Sequence, residues 1–124
     1  MKPVITHTDY HTLKSLVTNY PSHLISKEAT LLVEELGKAD VVDDQQIDQE
    51  VIRINSYFEA VDAGTGKILK FTLTLPALAN VKEQKISVFS PLGIALIGFR
   101  KGMSVQWTLP GGLKTIEILK VVNN

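Results

Sequence analysis

The chain has 124 residues, 44% of them hydrophobic and 21% charged, enough for one compact unit or one domain with a small appendage. Thirteen basic and thirteen acidic residues cancel overall, yet residues 1–50 hold four lysines against nine acids and residues 51–124 nine bases against four acids. The absence of cysteine excludes disulfides and thiolate metal sites, and neither part has the dense basic, aromatic-interleaved patch of a nucleic-acid binder, which leaves a protein partner as the better expectation.

The N-terminus lacks a basic-then-apolar leader, and no apolar run approaches the roughly 18 residues of a membrane span, so a cytoplasmic protein with no membrane attachment is expected. Tyr10, Leu13, Leu16 and Val17 recur at three- and four-residue steps and predict a first helix over about Thr8–Asn19. Thr6 with Asp9 supplies a capping pattern at its start. Tyr20-Pro21-Ser22 breaks it. Ser26 offers the N-cap of a second helix with apolar positions Ala29, Leu32, Val33, Leu36 and Ala39. Two helices of about 12 residues, each roughly 18 Å long, are expected to form a short antiparallel hairpin over residues 1–39.

Residues 40–50, DVVDDQQIDQE, carry five acids and no base and read as a solvated acidic connector. From Val51 the apolar period becomes two: Ile52, Ile54, Phe58 and Ala60 share one face, opposed by Arg53, Asn55 and Glu59. Asp62-Ala63-Gly64-Thr65-Gly66 is a turn, and Leu69, Phe71, Leu73 and Leu75 give the inner face of the next strand. An irregular crossing follows over Pro76–Glu83. Ile86–Phe89 is a short strand. Ser90 caps a helix with Pro91 at its first position, and Gly98 sits where a left-handed C′ residue stops it. A strand over Met103–Leu109 turns inward Val105 and Trp107. Pro110-Gly111-Gly112 reverses the chain into a last strand over Lys114–Val122. Residues 51–124 are thus expected as one α+β domain, a twisted antiparallel sheet wrapped on one helix.

Chemistry-bearing patterns are sparse. Gly64-x-Gly66 and Gly111-Gly112 lie between strands and not before a helix, so they are turn glycines and not phosphate cradles. His7 and His11 share a helix face but no HExxH pattern, and His23 has no partner identifiable in sequence; all three read as surface histidines. The acids of 40–50 (Asp40, Asp43, Asp44, Asp48 and Glu50) lack the glycine and spacing of a calcium loop. No catalytic residue, cofactor or metal ligand is assigned. Phe89, beside Ser90-Pro91 at a strand-to-helix corner, is either an exposed anchor for a partner or a residue buried under the helix.

Ile86-Ser87-Val88, Ser90-Pro91, Ala95-Leu96-Ile97-Gly98, Gly102 and Pro110-Gly111-Gly112 occur in an order that closely resembles the carboxy-terminal domain of the GreA/GreB transcript-cleavage factors, over roughly residues 50–122. Within that superfamily the chain looks most like members with a short helical hairpin, an acidic connector and an Asn-Ser dipeptide on the first strand, here Asn55-Ser56. The resemblance implies an FKBP-like sheet and helix, and docking on the coiled coil at the rim of the RNA polymerase secondary channel. The implied contact surface includes the corner of Ser90 and Pro91, to which Phe89 is added from its position. Cleavage factors of this family present acids at the tip of a long coiled coil, where they help to hold a second Mg²⁺. Here the tip, Tyr20–Ile25, contains no carboxylate. The expectation is therefore an RNA polymerase-binding regulator that competes with cleavage factors without stimulating cleavage, and no enzyme. Two alternatives stand beside it: a peptidyl-prolyl isomerase with Trp107 and Tyr57 or Phe71 lining a pocket, and a true cleavage factor using the 40–50 acids.

Overall fold

The computed structural model describes residues 2–19, 27–109 and 112–123. Strand β1 (Val4–Thr6) leads directly into helix α1 (His7–Thr18), and helix α2 (Lys27–Lys38) leads into strand β2 (Asp40–Val42). β1 and β2 pair in parallel, Val4 opposite Asp40 and Thr6 opposite Val42, a pairing that needs the long crossover the intervening chain supplies. The first part of the acidic stretch is therefore strand. Thr6 caps α1 as expected: its backbone is extended and its side chain accepts the Asp9 N–H at 3.1 Å. The cap expected at Ser26 and the reversal at residues 20–25 lie outside the described residues, as does His23.

The main sheet has the order β5-β4-β3-β7-β6, built from β3 (Tyr57–Asp62), β4 (Ile68–Thr74), β5 (Lys85–Ser87), β6 (Ser104–Leu109) and β7 (Gly112–Val122). Helix α3 (Pro91–Leu96) packs on it. The fold class is α+β, with one correction: the sheet is mixed. β5 runs parallel to β4, with Leu73 opposite Ile86, because two 3-10 turns at Pro76–Leu78 and Val81–Glu83 carry the chain back to start β5 in the same direction. A bulge opposite Glu59/Ala60 moves the β3–β7 register, so that Glu59 faces Lys120 while Ala60 faces Ile118.

A second correction concerns the first strand. The two-residue period does begin at Val51, but β3 begins only at Tyr57. Ile52 is buried in a loop, its N–H donating to the Phe99 carbonyl at 2.9 Å, and Asn55 turns the chain with φ +74°. Alternation inside β3 is as expected, with Phe58 and Ala60 fully buried. In β4 Leu73 is buried while Leu69 and Phe71 are half-buried, and Leu75 falls beyond the strand. In β6 Val105 is buried and Trp107 half-buried.

Gly98 follows the C-cap Ile97 with the left-handed φ expected of it, and it does more than end α3. The helix ends at Leu96, Ile97 is already extended, and the Gly98 N–H donates to the Ile52 carbonyl at 2.9 Å. Its carbonyl accepts from Val4 N–H at 2.8 Å, and a Cβ on it would stand 2.5 Å from the Pro3 Cβ. Glycine at φ +86° is thus required by the close passage of β1. The core is one cluster: Phe58, Leu73, Ile116 and Ile118 from the sheet, Ile94 and Leu96 from α3, and Leu13, Leu32 and Leu36 from the two long helices. No helix among the described residues is long and apolar enough to cross a membrane.

The Asn-Ser dipeptide has a structural account. Ser56 is fully buried; its hydroxyl accepts the Arg53 N–H at 2.7 Å and donates to the Asn123 side-chain carbonyl. Asn123 in turn donates to the carbonyls of Gln49 and Val51 at 2.8 and 2.7 Å. The pair locks the end of β7 against the entry to the sheet. Ser56→Ala leaves the half-buried Arg53 N–H and Asn123 side-chain carbonyl without this partner, so a loss of about 1–3 kcal/mol is expected. The check is a lower urea midpoint at unchanged slope.

Candidate partner-docking corner

The corner between β5 and α3 is built almost wholly from short-range hydrogen bonds. Ser87 Oγ accepts the Phe89 N–H at 2.9 Å, and the Ser87 carbonyl accepts from both the Ser90 N–H at 2.9 Å and the Ser90 hydroxyl at 2.6 Å. The same hydroxyl accepts the Gly93 N–H at 3.1 Å, so Ser90 caps the helix and fastens it to the strand at once. Pro91 follows in the first helical position, where no N–H is needed. Thr74 Oγ1 donates to the Ile86 carbonyl at 3.2 Å and ties β4 to the corner from beneath. Gly93 allows this closeness: a Cβ there would lie 2.5 Å from the Ser87 carbonyl oxygen and 2.9 Å from Leu73 Cδ1.

Phe89, Ser90 and Pro91 are all half-buried, and Phe89 packs against the edge of the core. Of the two readings left open for Phe89, the structure therefore realises neither extreme. The corner thus holds a half-buried phenylalanine and a half-buried proline on a hydrogen-bonded frame. α2 packs on α3, so the helical segment and the corner are held together.

The acids of the 40–50 stretch do not converge on one site. Asp44 accepts the Thr8 hydroxyl at 2.6 Å and caps the first turn of α1. That hydrogen bond, aided by Arg53 and His7, holds its carboxyl below the ordinary range against partial desolvation. Asp43 lies 3.6 Å from His7, Asp48 3.4 Å from Arg100, and Glu50 3.6 Å from Lys101. His7 and His11 stack at 6.4 Å. No group of three or more His, Asp or Glu side chains suited to a metal ion occurs among the described residues.

The pocket of Trp107 with Tyr57 or Phe71 named for the isomerase reading does not assemble. Phe71 on β4 packs near Phe58, while Trp107 on β6 is separated from it by the whole of β3 and β7 and lines a shallow groove with Leu31 and Leu113. Tyr57 alternates with Phe58 and donates its hydroxyl to Glu59 at 2.7 Å. Two contacts were invisible in sequence. One is the Ser56–Asn123 lock, which the Asn-Ser dipeptide marks without explaining. The other joins Asp9 to Ile54 and Arg53, where Asp9 carried only the signal of a capping residue.

A cap-fastened strand-to-helix corner on a mixed five-stranded sheet, with a pair of short helices packed beside it, defines a small α+β module. Residues 47–123 match the family model described as the C-terminal domain of the transcription elongation factor GreA/GreB, and the chain belongs to that family. It is 31% identical over 115 residues to a transcription elongation factor GreA of Nitrobacter winogradskyi, covering 93% of this chain and 70% of that protein. It is 33% identical over 94 residues to the regulator of nucleoside diphosphate kinase of Escherichia coli, covering 75% and 69%. Among solved structures, a prokaryotic transcription elongation factor GreA/GreB from Nitrosomonas europaea superposes with a TM-score of 0.77 at 28% identity, covering 99% of both chains. These relatives bear the names of elongation factors and a regulator.

Proposed function

We propose that this chain is an RNA polymerase-binding transcription regulator that docks at the rim of the secondary channel through Phe89, Ser90 and Pro91. On this reading residues 51–124 form the docking domain, residues 1–39 a short helical arm and residues 40–50 its acidic base. It competes with cleavage factors for that site and does not stimulate transcript cleavage. The observation that carries the reading is where the acids are. α1 and α2 have 12 residues each, about 18 Å of helix. Asp43 and Asp44 are bound to the first turn of α1 through His7 and Thr8, at the end of the arm away from Thr18. Carboxylates held there are a full helix length from Thr18 and already engaged by side chains of this chain. The helices also bury Leu13, Leu32 and Leu36 in the common core, which opposes their projecting as a free probe.

Stalled elongation complexes with a backtracked transcript test this directly. The protein is expected to leave the transcript at its intrinsic rate of shortening, and to slow shortening driven by an added cleavage factor. Shortening by the protein alone, lost in Asp43→Asn or Asp44→Asn, would sink the proposal and establish the cleavage-factor alternative. The isomerase alternative has no observation in its favour.

A further inference from the structure

The main sheet has two edges, and they are finished differently. At the β5 edge the outward backbone is already engaged: Lys85 exchanges hydrogen bonds with Asn80, each at 2.9 Å, and the Ser87 carbonyl accepts from Ser90. At the other edge lies β6, which pairs with β7 alone. The Ile118 N–H donates to the Met103 carbonyl at 3.0 Å, and this bond sets the phase of the ladder. Val105 and Trp107 therefore turn their backbone groups to β7, while those of Ser104, Gln106 and Thr108 point away from the sheet. All three residues are exposed, and no other backbone segment among the described residues bonds to that side of β6.

Free edges are ordinarily blunted by a lysine, a proline or an inward-pointing charge. β6, Ser-Val-Gln-Trp-Thr-Leu, carries none of these. Trp107 is half-buried and lines its shallow groove with Leu31 of α2 and Leu113, so apolar surface continues beside the open edge.

This edge is complementary to itself. When β6 is set antiparallel to the β6 of a second copy with Gln106 opposite Gln106, Ser104 falls opposite Thr108 at both ends. Every outward N–H of the three residues then meets an outward carbonyl. A slip of two residues in either direction leaves Ser104 or Thr108 without a partner in β6, which fixes the centre on Gln106. In the centred register Val105 of each copy faces Trp107 of the other on the inner side of the sheet, a β-branched residue against an aromatic one. The strand is uncharged and the whole chain is neutral, so no net repulsion opposes the approach.

We propose that β6 is a self-association edge: two copies of this chain join through antiparallel β6 strands into one continuous sheet, with Gln106 on the two-fold axis. The corner after β5 belongs to the opposite edge of the sheet, and the inference is independent of the docking reading.

Sedimentation velocity on the full chain tests it. The weight-average mass is expected to rise with concentration from 13.7 kDa toward twice that value. Amide exchange should slow at Ser104, Gln106 and Thr108 as the dimer fills, while Val105 and Trp107, already bonded to β7, should not change. Gln106→Lys and Gln106→Glu each set like charges opposite one another across the axis, and each alone should stay monomeric. An equimolar mixture of the two should recover the dimer, because lysine then faces glutamate. Gln106 is exposed, so neither change touches the core; if either variant fails to fold, the exchange measurement on the wild type decides alone. A wild type still monomeric at about 1 mM, the behaviour of an edge that accepts only an extended peptide of another protein, would overturn the proposal. So would a dimer whose Ser104, Gln106 and Thr108 amides exchange as fast as in the monomer, or a mixture of the two folded variants that stays monomeric.

Discussion

Replacing Pro91 with Asp is expected to abolish retention of the protein on core RNA polymerase while leaving it folded. The substitution is chosen because the position separates docking from helix formation. Ser90 remains as the cap, its hydroxyl still bonded to the Gly93 N–H and the Ser87 carbonyl. A carboxylate in the first turn of a helix is favoured by the exposed N–H groups and the helix dipole. Circular dichroism and the melting temperature should therefore stay near wild type. What changes is the half-buried rim, where an apolar ring becomes a charge that must lose water on docking. Central anchors of this kind cost about 2 kcal/mol or more on removal, roughly a 30-fold or greater loss of affinity. In competition with a cleavage factor for core polymerase, the wild type should displace it and Pro91→Asp should not. Wild-type binding by a folded Pro91→Asp protein would remove the corner from the docking surface.

Two glycine substitutions should act in opposite directions. At Gly93 the added methyl meets a backbone carbonyl oxygen at 2.5 Å, and the Ser87 carbonyl cannot retreat without releasing both bonds it takes from Ser90. Gly93→Ala is expected to cost about 2–3 kcal/mol by overpacking, a fall in melting temperature of roughly 10 °C. Gly37 lies near the end of α2, where an added Cβ would meet nothing within 4 Å, so Gly37→Ala should gain about 0.5–1 kcal/mol from helix propensity alone. Thermal melts of the two variants side by side check both signs. If the two shift alike, the close approach at the corner is not a structural constraint.

Local chemistry was legible in the sequence wherever neighbours in the chain are also partners in space. Thr6 with Asp9, Ser90 with Pro91, and the alternation of Phe58 and Ala60 act over one to three residues, and each stands where the pattern placed it. The order of short motifs from Ile86 to Gly112 was sufficient to mark the family, because a capped corner and its glycines leave few substitutes. The cap-fastened corner of Ser90 and Pro91 was legible for the same reason. How far Phe89 sinks into the core could not, since that depends on what α2 and the sheet edge leave uncovered.

Tertiary structure alone decided the rest. The direction of β5 depends on the turns of Pro76–Glu83, whose hydrogen bonds carry no hydrophobic period to read. Gly98 was legible as the left-handed residue at the helix end, but not that its carbonyl and N–H join Val4 to Ile52. The contacts Ser56–Asn123 and Asp9–Ile54 span 67 and 45 residues, and a polar side chain gives no sign of a partner so distant. Propensity and patterning are properties of a stretch of chain, whereas burial of a polar group becomes favourable only when the fold brings its complement to it.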